Sequence, residues 1–269
     1  MIPYFTIPPL YLFGKFSIHA YGVLLMLGIL AGNWLVRRRA RESGVSIAEI
    51  QSAVIWAVAV GFVGAHVVEL LFYQPNLIER DGLLVIFDIW NGLSSFGGFV
   101  GGLIGFYIYF RRRNQPCLVQ MALVLEGLVV GWVFGRLGCT LAHDHIGQQS
   151  SFFLAFNYPS GPRHNLGFYE FLLASFVLLP LTLIARRGRF RPAVYIGLIS
   201  LIYGSARFFL DFLRATDIPG ADLRHWGLTA AQFGCLALVS IGVWMLMRAM
   251  SPNDGSLQDT VASASPTGK

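Results

Sequence analysis

The stretch "MALVLEGLVVGWVFGRLGCTLAHDHIG", residues 121–147, decides the fold class. Its apolar first half predicts a transmembrane helix over about 117–138, and polar and ionisable residues follow at the expected membrane boundary. Apolar runs of this kind recur along the chain, which is 55% hydrophobic and 13% charged, whereas soluble proteins are roughly 25% charged. The sequence therefore predicts an all-α, polytopic membrane protein.

The apolar runs predict about seven transmembrane helices, with ends expected to within a few residues. They cover about 17–36, 50–73, 93–110, 117–138, 168–185, 193–213 and 228–249. We expect residues 1–250 to form a single transmembrane domain and the polar residues 251–269 to form a disordered cytoplasmic tail. The N-terminus has no basic region followed by a cleavage site, so the first span is expected to be retained.

Arginine clusters predict the orientation in the membrane. "RRRAR" (37–41), "RRR" (111–113) and "RRGRFR" (186–191) follow the first, third and fifth predicted spans. By the positive-inside rule these connections are cytoplasmic, so the N-terminus is outside and the C-terminus is inside. The net charge of +6 is explained by this placement beside anionic lipid headgroups, and no nucleic-acid partner is expected.

This orientation brings two arginines to a similar depth near the outer surface. Arg136 lies at the outer end of the fourth span, and Arg207 lies about six residues, roughly 9 Å, below the outer end of the sixth. A guanidinium binds phosphate with two hydrogen bonds, so the pair could hold a phospholipid headgroup, with Tyr203 one turn from Arg207. Alternatively, Arg207 pairs with Asp211 at i+4 and Arg136 extends to the interface.

Glycines in "FGGFVGGLIG" point to close packing of the third span. Gly97 with Gly101, and Gly98 with Gly102, form overlapping GxxxG patterns, which allow a neighbouring helix or a lipid chain to approach closely. Helix packing is the more general explanation, and contact with a ligand is the alternative. The pattern alone specifies no chemistry.

The ordered motifs resemble those of the prolipoprotein diacylglyceryl transferase family. The matching segments are "SIHAYGVLLMLGI", "SSFGGFVGG", "GRLGC", "GFYEFLL", "YGSARFFLDFLR" and "GLTAAQ". The resemblance implies transfer of a diacylglyceryl group from phosphatidylglycerol to the lipobox cysteine of a preprolipoprotein, at the outer face of the bacterial inner membrane and without a cofactor. The positions that match family site residues are Tyr21, Gly97, Gly98, Arg136, Gly147, Glu170, Tyr203 and Arg207.

The chain departs from the family pattern at several polar positions. Phe96 stands where the family usually has a histidine, Cys139 and Ala142 where it has asparagines, and Asp144 where a glutamate is common. These changes leave open a catalytically silent paralogue that binds phospholipid or lipoprotein precursors. A transporter is disfavoured because we expect no acidic residue at mid-membrane for ion coupling.

The residues after the fourth span could replace the missing histidine. A thiol reacts as thiolate, so His143 or His145, oriented by Asp144, could serve as the base, while Arg136 and Arg207 stabilise the leaving phosphate. A solvated loop is the alternative for these residues. A metal site is not expected, because adjacent residues rarely converge on an ion without ligands from elsewhere. We interpret Cys139 as a small buried residue rather than a nucleophile.

Overall fold

A computed structural model describes residues 1–12, 16–88, 92–218, 221–222 and 224–250. The predicted tail, residues 251–269, lies outside the described residues. The α-helices within the described ranges are α1 (Ala20–Glu42), α2 (Ile47–Val68), α3 (Pro75–Asp81), α4 (Ser95–Arg112), α5 (Leu118–Ala142), α6 (Leu166–Leu173), α7 (Leu179–Ile184), α8 (Pro192–Leu210) and α9 (Ala230–Met250). The strands are β1 (Ile2–Pro3), β2 (Leu10–Leu12), β3 (Phe16–Ile18), β4 (Ile146–Gln149), β5 (Phe156–Tyr158), β6 (Gly161–Asn165), β7 (Arg224–His225) and β8 (Leu228–Thr229).

Within the described residues, 6 helices are long and apolar enough to cross a membrane. They include α1, α5 and α9, while α2, α6 to α7 and α8 are extended by π-helical or 3-10 turns into spans Ile47–Phe72, Leu166–Gly188 and Pro192–Leu213. The remaining predicted span is helical as α4, but α4 has only 18 residues and ends in Arg111 and Arg112. The structure therefore supports a multi-pass membrane protein with six clear spans.

Two of the arginine clusters lie in helix ends rather than in the predicted connections. Helix α1 continues through "RRRAR" to Glu42, and α4 includes Arg111 and Arg112. Arginine is a good helix former, so an arginine run need not end a helix. Arg39 also bonds to Glu126 of α5, with Nε 2.8 Å from Oε2. Glu126 is buried inside the span Leu118–Ala142, where Arg39 neutralises its charge.

One compact unit contains Met1–Arg39, Ala122–Asp222 and Cys235–Ala249. Here α1 and α5 approach through glycines: a Cβ on Gly32 would lie 2.6 Å from the Gly127 carbonyl oxygen, and one on Gly28 would lie 2.9 Å from that of Gly131. Such contacts leave no space for a side chain. Close backbone packing thus holds the two helices together within this unit.

A second compact unit contains the described residues of Ala40–Met121 and Leu223–Gly234, together with Met250. Its main contact joins α2 to α4 through the predicted glycine motif. A Cβ on Gly97 would lie 2.3 Å from the Gly64 carbonyl oxygen, and Gly61 and Gly98 approach each other in the same way. The prediction that the GxxxG glycines pack α4 against a neighbouring helix is confirmed.

The connection after α5 is folded, although the sequence predicts an all-α chain. Strands β4, β5 and β6 form an antiparallel sheet, and β1 adds to it in parallel with Ile2 opposite Phe156. The order is β1-β5-β6-β4. Strand β6 ends at Asn165, which caps α6 by accepting a hydrogen bond from the Phe168 amide. The sheet thereby fixes the start of the helix that carries Glu170.

Candidate active site

The candidate site is built around the carboxylate of Glu170 on α6. Glu170 is fully buried, at 0% exposure. Its Oε2 lies 3.0 Å from Nη2 of Arg136 on α5, and its Oε1 lies 3.0 Å from Nη1 of Arg207 on α8. The Tyr203 hydroxyl donates to Oε2 at 3.1 Å. The two arginines predicted to lie at a similar depth therefore converge on one acidic side chain.

Arg207 also forms the alternative contact predicted from its position in the helix. Its Nη2 lies 3.0 Å from Oδ1 of Asp211, one turn later. Asp211 is fully buried, and Arg214 lies 3.9 Å from the same oxygen. Arg207 is thus held between Glu170 and Asp211. Because all these side chains except Arg214 are buried, the charges depend on each other for stabilisation.

Arg136 is held by an aromatic contact as well as by Glu170. Its guanidinium carbon lies 4.5 Å from the ring centroid of Trp132, one turn earlier on α5. The Trp132 ring in turn meets Tyr203 edge to face, with centroids 5.6 Å apart. Sequence reasoning missed Trp132, although its i, i+4 spacing to Arg136 was a usable signal.

His145 connects the arginine cluster to Asp144. Its Nδ1 lies 2.6 Å from Oδ1 of Asp144, and its Nε2 lies 3.3 Å from Nη1 of Arg136. A guanidinium can only donate, so Nε2 accepts and Nδ1 carries the proton that is donated to Asp144. Burial raises the pKa of Asp144, but the contacts with His145, Cys139 and the Arg136 charge together outweigh burial and hold this pKa below its usual value. The hydrogen bond from Nδ1–H to the carboxylate therefore holds the Asp144–His145 pair together.

His143 has different surroundings from His145. Its backbone is left-handed, with φ 53°, and its ring contacts those of Tyr4, Phe5, Phe156 and Tyr158. Nε2 lies 2.8 Å from the Phe5 carbonyl oxygen, which can only accept, so Nε2 is protonated. Nδ1 lies 3.0 Å from the Tyr158 hydroxyl. His143 thus binds the N-terminal segment through Nε2 and the sheet through Nδ1.

Asn165 supports this arrangement and was also missed from the sequence. Its amide donates to the Thr140 carbonyl oxygen at 3.2 Å and lies 3.2 Å from Nδ1 of His143. An asparagine directly before an apolar helical run is a typical N-cap, and this signal could have identified it. Asn165 links the end of α5 to the start of α6.

A cavity of about 730 Å³ lies beside Asp144. Its lining includes Ile7, His19, Tyr21, Met26, Ala142 and Asp144. The Tyr21 ring packs on Gly138, where an added Cβ would lie 3.0 Å from the ring. Mostly apolar walls with a few polar groups are typical of small-molecule sites, so this cavity has the composition of a ligand site.

The remaining predicted glycines allow close backbone contacts. An added Cβ on Gly147 would lie 2.7 Å from both the Leu213 carbonyl oxygen and the His164 Cβ. Gly147 therefore joins β4 to β6 and the end of the α8 span. Gly97 and Gly98 belong to the second compact unit, where they pack α4 on α2. Their contacts support the helix-packing explanation given above.

Comparison with known proteins gives a consistent family. The model of the prolipoprotein diacylglyceryl transferase family matches residues 8–248. Three similar proteins carry the name phosphatidylglycerol–prolipoprotein diacylglyceryl transferase. The one from Nitratidesulfovibrio vulgaris is 31% identical, covering 90% of this chain and 93% of its own. The one from Methylococcus capsulatus is 31% identical, covering 93% and 98%. The one from Vibrio cholerae is 32% identical, covering 95% of each. The chain belongs to the prolipoprotein diacylglyceryl transferase family.

Proposed function

We propose that this protein transfers the diacylglyceryl group of phosphatidylglycerol to the lipobox cysteine of a preprolipoprotein. In this reaction the cysteine sulfur forms a bond to the glyceryl carbon, the bond from that carbon to the phosphate oxygen breaks, and glycerol phosphate leaves. The observation that carries the proposal is the cluster of Arg136 and Arg207 around the buried Glu170, beside the Asp144–His145 pair. The two arginines can hold a phosphate, and the Asp144–His145 pair can hold a proton.

The arginines supply the positive charge that the leaving phosphate needs. Arg136 and Arg207 are fixed by Glu170 before any substrate arrives, so little reorganisation is required when negative charge develops. Tyr203 donates to the same carboxylate and helps to hold it. In this proposal Glu170 and Tyr203 position the arginines, and Tyr21 lines the cavity that receives the lipid.

We assign the base to His145 rather than to His143. Nε2 of His145 is an acceptor, and its partner in the described structure is Arg136. When a substrate phosphate accepts from Nη1 of Arg136, while Nη2 stays on Glu170, Nε2 of His145 becomes available to take the thiol proton, and Asp144 stabilises the resulting imidazolium. His143 keeps the N-terminal segment in place through Phe5 and Tyr158. This division of roles accounts for both histidines.

The proposed topology places this reaction at the outer face of the membrane. Residues 1–250 form one transferase domain with seven spans, in which α4 is the third span although it is the shortest. The N-terminus is outside, the C-terminus is cytoplasmic, and the site faces outward from the bacterial inner membrane. That face is where a lipobox cysteine emerges after translocation. Phosphatidylglycerol and the preprolipoprotein signal peptide are the substrates, and no cofactor is required.

Transfer with purified protein tests this proposal. Phosphatidylglycerol labelled in its acyl chains is incubated with a lipobox peptide, and both peptide-linked label and released glycerol phosphate are measured. His145→Ala should lower transfer by about 100-fold or more while lipid binding is retained. Arg136→Ala should lose both. His225→Ala removes an exposed histidine outside the site and is the matched control.

Two results would contradict the proposal. Transfer by His145→Ala at the rate of the His225→Ala control would remove His145 from the mechanism. Lipid binding without transfer by the unmodified protein would instead favour the silent paralogue, since that protein needs only the arginines.

A further inference from the structure

Three potential metal ligands meet at the end of α5. The Cys139 sulfur, a carboxylate oxygen of Asp144 and a ring nitrogen of His145 all lie within 4.8 Å of one another. Cys139 lies in the last turn of the helix, and the left-handed backbone of His143 reverses the chain so that the next two residues return past it. Cys139 lies on the helix rather than in the segment after it, and it therefore adds a third ligand to the adjacent Asp144 and His145.

We propose that Cys139, Asp144 and His145 bind one divalent ion of the zinc type. Thiolate, carboxylate and imidazole are the ligands that zinc takes in proteins, and three protein ligands leave a fourth position open. Ligand atoms of a tetrahedral zinc ion lie roughly 3–4 Å apart, which small side-chain rotations would reach from the observed spacing. The open position would face the cavity that Asp144 lines, which also gives the ion a path to the site.

The three side chains lie beside each other in the metal-free protein. The Cys139 sulfur lies within 4.8 Å of a carboxylate oxygen of Asp144, and Nδ1–H of His145 donates to the same carboxylate. Binding through Nδ1 requires the thiol proton to leave to solvent and the imidazole proton to move to Nε2. The thiolate and the carboxylate then neutralise the two positive charges of the ion. One proton is released for each ion bound, so affinity should rise with pH.

Metal binding would also change the contact with Arg136. With its proton on Nε2, His145 becomes a donor there, and it can no longer accept from Nη1 of Arg136. If the proposed function is correct, the ion would occupy the same Asp144–His145 pair that accepts the thiol proton. Metal binding and transfer would then exclude each other. This consequence rests on the proposed function, whereas the metal site itself does not.

Cadmium titration tests the site without any activity measurement. Purified, tag-free protein in detergent is titrated with Cd²⁺, and the ultraviolet charge-transfer band of a cadmium thiolate is recorded. We expect the band to saturate at about one ion per chain, as a single three-ligand site requires. Cys139→Ala should abolish it. Cys235→Ala removes another buried cysteine of the same compact unit and should leave it unchanged.

Further variants guard against misfolding and separate this proposal from the proposed function. Asp144→Asn keeps the thiol and should weaken cadmium binding by at least tenfold, with the thermal unfolding of every variant measured alongside. No band in the unmodified protein, or a band lost in Cys235→Ala but kept in Cys139→Ala, would overturn the site. Zinc inhibition of transfer should disappear in Cys139→Ala. A cadmium band without zinc inhibition would keep the site and refute only its link to the reaction.

Discussion

Replacing Glu170 by glutamine should destabilise the protein strongly, because it removes the charge that the buried Arg207 and the partly buried Arg136 share. Among the described residues, Glu170 is the one carboxylate within ion-pair distance of Arg136, whereas Arg207 keeps Asp211. Removing one partner of a buried pair costs about 3–5 kcal/mol. The amide NH₂ of glutamine would also face a guanidinium, where two donors meet. We therefore expect a loss near 4 kcal/mol, about 1,000-fold in the folding equilibrium.

Unfolding of the purified protein by sodium dodecyl sulfate, followed by circular dichroism, measures this loss. Glu79→Gln removes an exposed glutamate by the same chemical change and should alter the free energy of unfolding by no more than about 0.5 kcal/mol. Equal stability of the Glu170→Gln and Glu79→Gln variants would refute the argument. It would mean that the arginines do not depend on Glu170 for neutralisation.

Three other predictions concern the arginines, the topology and the sheet. Arg136→Lys and Arg207→Lys should each lower transfer at least tenfold, because lysine keeps the charge but loses the planar fork, and full activity in both would leave the arginines a structural role. In a background without native cysteines, Ser150→Cys should react with an impermeant thiol reagent in intact cells, whereas Ala40→Cys and Arg112→Cys should not, and the reverse pattern would invert the topology. Burial lowers the pKa of His164, so its contribution to stability is complete above pH about 6.5 and is lost as the pH falls below that value. His164→Gln should flatten this part of the curve of unfolding free energy against pH, and an unchanged curve would exclude His164 as its source.

The helices could be predicted from the sequence because apolar runs and their length carry the signal directly. The predicted run 193–213, for example, corresponds to the span Pro192–Leu213 within a residue. The arginine runs misled the prediction of helix ends. "RRRAR" looks like a connection by charge, yet Arg39 remains helical and pairs with Glu126, 87 positions away. A pairing at that distance in the sequence cannot be read from local pattern.

The sequence indicates which residues belong to the candidate site, but not which of them contact each other. Arg136 and Arg207 could be placed at a similar depth by counting along helices, but their shared partner Glu170 depends on how three helices pack. His143 and His145 look equivalent in "HDH", and only the left-handed turn at His143 gives them separate surroundings. The sheet was missed because its strands are short, and one of them, Ile2–Pro3, comes from the other end of the unit's sequence.

The most direct test of the central claim is complementation of a bacterial strain depleted of its own diacylglyceryl transferase. The unmodified chain should restore growth and diacylglyceryl modification of a reporter lipoprotein, whereas Arg136→Ala, present at an equal level in the membrane, should restore neither. Failure of the unmodified chain to modify the reporter, despite normal membrane insertion, would contradict the assignment of transferase activity to this protein.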